Sequence, residues 1–145
     1  MQVANLVIEG ENIRKIRDLL YTYKDEHYVG SPHIYSANDI VVLMRESYYF
    51  RIGSTLMSVI IMKFIADNNV EIEIVTSGGK DGMSTSFGSE KSENRKIVHE
   101  IMDICSGNKW EIIDIQPEEL KISFYEEVKG KFKNKVSNIF KKDKI

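Results

Sequence analysis

Residues 40–88 constrain this chain more than any other stretch. Four apolar, β-branched or aromatic segments follow one another there, separated by short polar or glycine-containing breaks. The clearest is 70–77, where Val70, Ile72 and Ile74 alternate with Glu71 and Glu73. A period of two puts one face of a strand in a core and the other in water. Segment 40–51, rich in Val, Tyr and Phe, reads as an earlier strand, with Ile52-Gly53-Ser54 as its reversal. Segment 55–66 is apolar enough to be a buried helix capped by Ser54. Its Val59, Ile60, Ile61 and Ile65 favour a strand, because β-branched side chains fit a pleated surface better than a helix. Asp67-Asn68-Asn69 supplies a tight turn. A glycine corner, 77–82, leads into a short strand at 83–87 that stops at Gly88.

The flanks supply helices and two more strands. Residues 2–9 alternate loosely and predict a first strand. Helix one is expected over 11–24, with Ile13, Ile16, Leu20 and Tyr23 on one face. Residues 25–38, with Gly30 and Pro32, read as an irregular connection. Ser89 reads as the cap of helix two, which carries Ile97, Ile101, Ile104 and Cys105 in a stripe and ends at Gly107. A last strand is expected over 110–115, and Pro117-Glu118-Glu119 is a helix start. The pattern β-α-β-β-β-β-α-β predicts an α+β fold. Its twisted, mostly antiparallel sheet has about six strands, with two helices on one face and an amphipathic C-terminal helix. The expected division is one domain over 1–116 and a basic tail over 117–145.

Several function classes fall away on composition. One cysteine in 145 residues leaves no internal disulfide framework and no multi-cysteine zinc cluster, and fits a reducing cytoplasm. The first residues lack the basic and apolar regions of a signal peptide. The longest apolar run, 56–66, is broken by Ser58 and Lys63 and falls short of the ~20 residues that span a bilayer. The expected location is the cytoplasm, with peripheral membrane contact as an option. His27 and His33 lie six apart in an irregular segment, without the register of two ligands on one helix face. No metal or cofactor site is expected, and no catalytic residue stands out. Cys105 reads as a core residue and His99 as water-facing.

Two stretches are candidates for binding. Ser77, Gly78, Gly79, Lys80 and Gly82, with Arg51, offer backbone donors and cations to a phosphate or other small molecule. The corner lacks the Walker A order and enters a strand rather than a helix, so a bent hairpin is the structural alternative. The polar positions Arg45, Ser47, Tyr49 and Arg51 read as an exposed strand face, either simply solvated or open to an anion or partner.

The tail is the sharper candidate. Seven lysines against Asp143 give residues 129–145 a charge of +6, so an overall charge of −2 leaves −8 on the first 128 residues. At about 100° per residue, Phe124, Val128, Phe132, Val136 and Ile139 share one side of a helix, with Phe140 at its edge. Lys129, Lys131, Lys133 and Lys135 flank that stripe, and Gly130 weakens the helix by about 1 kcal/mol. Residues 120–124 also alternate and admit a strand. Such a helix suits the domain's own open sheet face, a second copy in a homo-oligomer, or an anionic membrane surface. Nucleic acid fits poorly, because the cluster has lysines but no arginines and no base-reading module.

Tyr48-Tyr49-Phe50-Arg51-Ile52-Gly53-Ser54, an apolar strand and then Ser77-Gly78-Gly79-Lys80-Asp81-Gly82 resemble a family of small uncharacterised bacterial proteins. There a Tyr-Tyr-Met-Arg-x-Gly-Ser segment precedes a Ser-Gly-Gly-Gly-x-Gly corner, a strand ending in Trp-Gly and an acidic helix start. Phe87-Gly88-Ser89-Glu90 stands in that last place, while Lys80 and Asp81 depart from the pattern. The resemblance covers about residues 45–102 and implies a strand over 55–66, with no assigned activity. The function expected from the sequence is a non-enzymatic interaction module acting through its tail. Small-molecule or phosphate binding at 77–82 is the alternative.

Overall fold

A computed structural model describes residues 1–50, 53–78, 88–121, 126 and 129–130. Six strands form one open antiparallel sheet: β1 (Gln2–Glu9), β2 (His33–Ala37), β3 (Ile40–Tyr49), β4 (Ser54–Ala66), β5 (Asn69–Gly78) and β6 (Glu111–Gln116). Their order across the sheet is β2-β3-β4-β5-β1-β6, so β1 lies between β5 and β6. Helices α1 (Ile16–Thr22) and α2 (Ser89–Asn108) cover one face. Ala4, Leu6 and Ile8 of β1, Ile60 and Met62 of β4, and Ile72 and Ile74 of β5 point towards Ile97 and Ile101 of α2. Alternation along each strand thus supplies one wall of the core, and the stripe on α2 supplies the other. Among the described residues the core reaches as far as Leu120, which lies in a helical turn at 119–121.

The architecture is the α+β sheet that the alternation predicts, and residues 54–66 are strand as their β-branched content indicates. One strand was not expected. Residues 33–37 form the edge strand β2 rather than an irregular connection. Its Ile34 is packed on the core, but Tyr35 and Ser36 are exposed, so a half-wet edge strand gave little apolar signal. The strand expected over 83–87 lies outside the described residues.

Helix one is shorter than its apolar spacing suggests. A 3-10 turn at Ile13–Lys15 precedes α1, which ends at Thr22, and Tyr23 is extended and exposed. The cause is local. The Leu20 carbonyl would accept from Lys24 if the helix continued, but it accepts instead from Arg45 of β3. Both ends of α2 also differ from expectation. Its N-cap is Gly88, and Ser89 is a buried residue inside the first turn. The helix runs through Gly107 to Asn108, and Lys109 takes the left-handed conformation in place of a glycine.

That C-terminal reversal delivers Trp110 into the core. Its indole N–H donates to the Glu11 carbonyl at 2.7 Å, and its ring lies against Gly10. A Cβ at Gly10 would sit 2.1 Å from Trp110 Cδ1, so only glycine permits this approach.

Candidate functional site

The layer between sheet and helices changes character along its length. At one end Val41, Leu43, Ile60, Met62 and Ile72 meet Ile97, Ile101 and Cys105. Towards the other end the same strand faces carry Arg45, Ser47, Ser58 and Thr76, and α2 answers with Glu90, Glu93, Asn94 and Glu100. Arg45 and Ser47 are therefore buried against α2, not displayed on a wet strand face, because they continue the phase of Val41 and Leu43. Tyr49 is half-buried in the same row, and Arg51 lies outside the described residues.

Arg45 is the hub. Its two terminal nitrogens each donate to one oxygen of Glu100 at 2.7 Å, and Tyr28 OH accepts from Nη1 at 2.9 Å. The guanidinium also lies 4.9 Å from the centre of the Tyr28 ring. Burial works against the arginine's charge, but the Glu100 hydrogen bonds and charge outweigh it and keep the group protonated. Burial, then the Glu100 charge, pushes the Tyr28 phenol well above its usual range. Lys96 of α2 holds Asp25 at 2.9 Å, which fastens the segment after α1 to the same helix.

Glu93 accepts from Ser47 Oγ at 2.8 Å and from Tyr49 OH at 2.5 Å. Burial and that carboxylate push the Tyr49 phenol up as well. Asn94 donates to the Ile74 carbonyl and Thr76 Oγ1, and Thr76 in turn meets Ser58 at 3.0 Å. Among the described residues no buried side-chain nitrogen or oxygen lacks a partner. A network satisfied this completely positions elements; both phenols stay protonated near neutrality and neither is a poised base. The Cys105 thiol, pushed up to about 12 by burial, is likewise a poor nucleophile. Among the described residues no group of three or more His, Cys, Asp or Glu could hold a metal ion. A cleft of about 440 Å3 opens beside Arg45 and Tyr28, walled by Tyr21, Tyr23, Val29 and Pro32.

The glycine corner is described only at its start. Ser77 is half-buried, and the Gly78 N–H donates to Glu90 Oε1 at 3.2 Å, so an internal carboxylate occupies that donor. The same carboxylate lies 2.7 Å from the Met1 amino group. Gly79, Lys80 and Gly82 lie outside the described residues. So do Phe124, Val128, Phe132, Lys133, Lys135, Val136, Ile139 and Phe140 of the tail. Lys129 is helical and exposed, and so is Glu126. Of the alternating stretch 120–124, Leu120 and Lys121 are helical and the rest lies outside the described residues.

The second face of the sheet carries no helix among the described residues. Register places Val3 beside Val75, Val75 beside Val59, Val59 beside Met44 and Met44 beside His33, one row across five strands. Ile61, Val42 and Tyr35 form part of the next row, and Met57 lies on the other side. Val3, Met57 and Tyr35 are exposed, and the remaining apolar side chains are half-buried. Exposed Glu46, Glu71 and Glu73 surround this centre, with Lys63 beside Glu71.

Sequence reasoning missed Glu93, Glu100, Asn94 and Tyr28. A signal existed for the acids: Glu93, Ile97, Glu100 and Ile101 share one α2 stripe, so two carboxylates sit in phase with the apolar face. It also missed the apolar content of the open face. No family model, curated protein or solved structure matches this chain.

Proposed function

We propose that this domain is a non-catalytic interaction module whose open sheet face receives a basic amphipathic helix, the chain's own residues 129–145. The observation that carries the reading is the apolar row Val3–Val75–Val59–Met44, ringed by Glu46, Glu71 and Glu73 on a face that carries no helix among the described residues. Contiguous apolar surface with a polar rim marks an interaction site. The charges are complementary, since residues 129–145 carry +6 and the rest of the chain −8. The dimensions also agree. Seventeen helical residues span about 25 Å, and five strands at about 4.8 Å spacing span roughly 19 Å.

The buried side of the molecule supports binding over catalysis, because its polar groups satisfy one another. The start of the glycine corner favours the same reading. An anion at Gly78 would meet the Glu90 carboxylate, with Glu93 on the next turn of the same helix.

Cysteine cross-linking in the full chain tests the proposal. Val59→Cys, Met57→Cys or Met44→Cys is paired in turn with Ile139→Cys under mild oxidation, with buried Cys105 as the silent background. An intramolecular cross-link with at least one partner, weakened by high salt, is the expected result. Exclusively intermolecular cross-links would make a second copy the occupant and overturn the assignment. No cross-link, together with salt-sensitive sedimentation on anionic vesicles, would replace it with a membrane surface.

A further inference from the structure

The two edges of the sheet are guarded very differently. β6 carries Glu111 and Asp114, its pairing with β1 is bulged between Val7 and Ile8, and Lys121 reaches back to Asp114 at 3.2 Å. Charges, bulges and covering segments are how a sheet edge is protected from adding another strand. Among the described residues β2 has none of these. His33-Ile34-Tyr35-Ser36-Ala37 contains no Asp, Glu, Lys, Arg or Pro, and it pairs with β3 without a register shift.

The direction of its free backbone groups follows from its neighbours. Phe64 N–H donates to the Asp39 carbonyl, which fixes the parity of the β3–β4 ladder. Ile40, Val42 and Met44 therefore turn their backbone groups towards β2, where they meet Ala37, Tyr35 and His33. The N–H and C=O groups of Ile34 and Ser36 point away from the sheet. Tyr35, between them, is 58% exposed on the open face.

We infer that β2 pairs antiparallel with β2 of a second copy across a two-fold axis at Tyr35, joining two six-stranded sheets into one. In that register Ile34 meets Ser36 of the partner and Ser36 meets its Ile34, each pair exchanging two backbone hydrogen bonds, four in all. The two Tyr35 rings meet as a close non-hydrogen-bonded pair on the open face, and His33 lies opposite Ala37, so no like charges face each other. Pro32 and the left-handed Asn38 bound the strand and fix the register at five residues. A second copy is the occupant because the strand complements itself about its central residue. Guarding of β6 then closes the assembly at two copies rather than a growing sheet. This surface is independent of the proposed docking of residues 129–145; pairing would continue the row Ile61–Val42–Tyr35 of one open face into the same row of the second copy.

The test is the mass of the full-length chain by sedimentation velocity over a concentration series, with three variants. Ser36→Pro removes an N–H that points to solvent within the chain, a position where an edge strand tolerates proline, so the fold is kept and the pairing blocked. Tyr35→Lys leaves the backbone intact and sets two cations face to face. Ser36→Ala keeps every backbone group. The wild type and Ser36→Ala are expected at twice 16.7 kDa. Ser36→Pro and Tyr35→Lys are expected to weaken association by about tenfold or more, with unchanged circular dichroism and an unchanged intramolecular cross-link from residue 139. A monomeric wild type overturns the inference. So does a dimer that a folded Tyr35→Lys leaves at full strength.

Discussion

Arg45 and Glu100 meet as a bidentate pair, both contacts 2.7 Å, with side chains only 3% and 2% exposed. The pair joins β3 to α2, and through Tyr28 and the Leu20 carbonyl it also fixes the end of α1 and the segment that follows. Three elements distant in sequence are registered by one guanidinium.

Breaking that pair on one side leaves a buried charge without its counterion. Arg45→Met is expected to cost about 3–5 kcal/mol, seen as a fall in melting temperature of roughly 10 °C or more. Arg45→Met combined with Glu100→Leu should recover part of the loss, because no buried charge is left without its counterion, while the Leu20 carbonyl and the Tyr28 hydroxyl still lose their partners. A double variant as unstable as the single would show that the pair is not the source of the cost.

Among the described glycines, Gly10 is the one where an added Cβ would come closest to a neighbour, 2.1 Å from Trp110 Cδ1. Gly10→Ala forces the indole to move and is expected to destabilise by about 1–3 kcal/mol. The readout is a shifted tryptophan emission, since Trp110 is the single tryptophan and is 7% exposed. Unchanged emission and stability would contradict the packing described.

Stability should fall in alkali. The folded state raises the Cys105 thiol from 9.0 to about 12 by burial, and raises the Tyr28 and Tyr49 phenols above their usual 10.0 by burial and by their carboxylate partners. Each contribution is fully present below the unfolded value and is lost as pH rises towards the folded one. Thermal melts between pH 8 and 11 should show a decline beginning near pH 9. It should be shallower in Tyr49→Phe, whose carboxylate partner Glu93 keeps Ser47. A decline of identical slope in that variant would remove Tyr49 from the account.

The legible parts of this fold are those in which local pattern and burial agree. Val70, Ile72 and Ile74 announce β5 and its buried face, and Val59, Ile60 and Ile61 decide β4 against a helix. Partners far apart in sequence were not legible. Arg45 and Ser47 read as wet because they are polar, although their phase with Val41 and Leu43 already placed them inside. The carboxylates that make burial possible lie on α2, 46 and 55 residues away. Leu20 shows the same limit. Apolar spacing extends helix one to Tyr23, but a side chain from β3 takes the carbonyl that the next turn needs. β2 hid for the opposite reason, having one packed apolar residue and a wet edge.

The open face contains its own reporters for the central claim. Met57 is 45% exposed and Met44 half-buried on that face, while Met62 and Met102 are buried in the core. The measurement is the rate of peroxide oxidation of each methionine, in the full chain and in one ending after Glu127. Every described residue of the core cluster lies at or before Leu120, so the shorter chain keeps all of them. Docking of residues 129–145 predicts that Met57 and Met44 oxidise several-fold more slowly in the full chain, that high salt erases the difference, and that Met62 and Met102 are equally slow in both. Equal rates at Met57 and Met44 in the two chains at low salt would contradict the account.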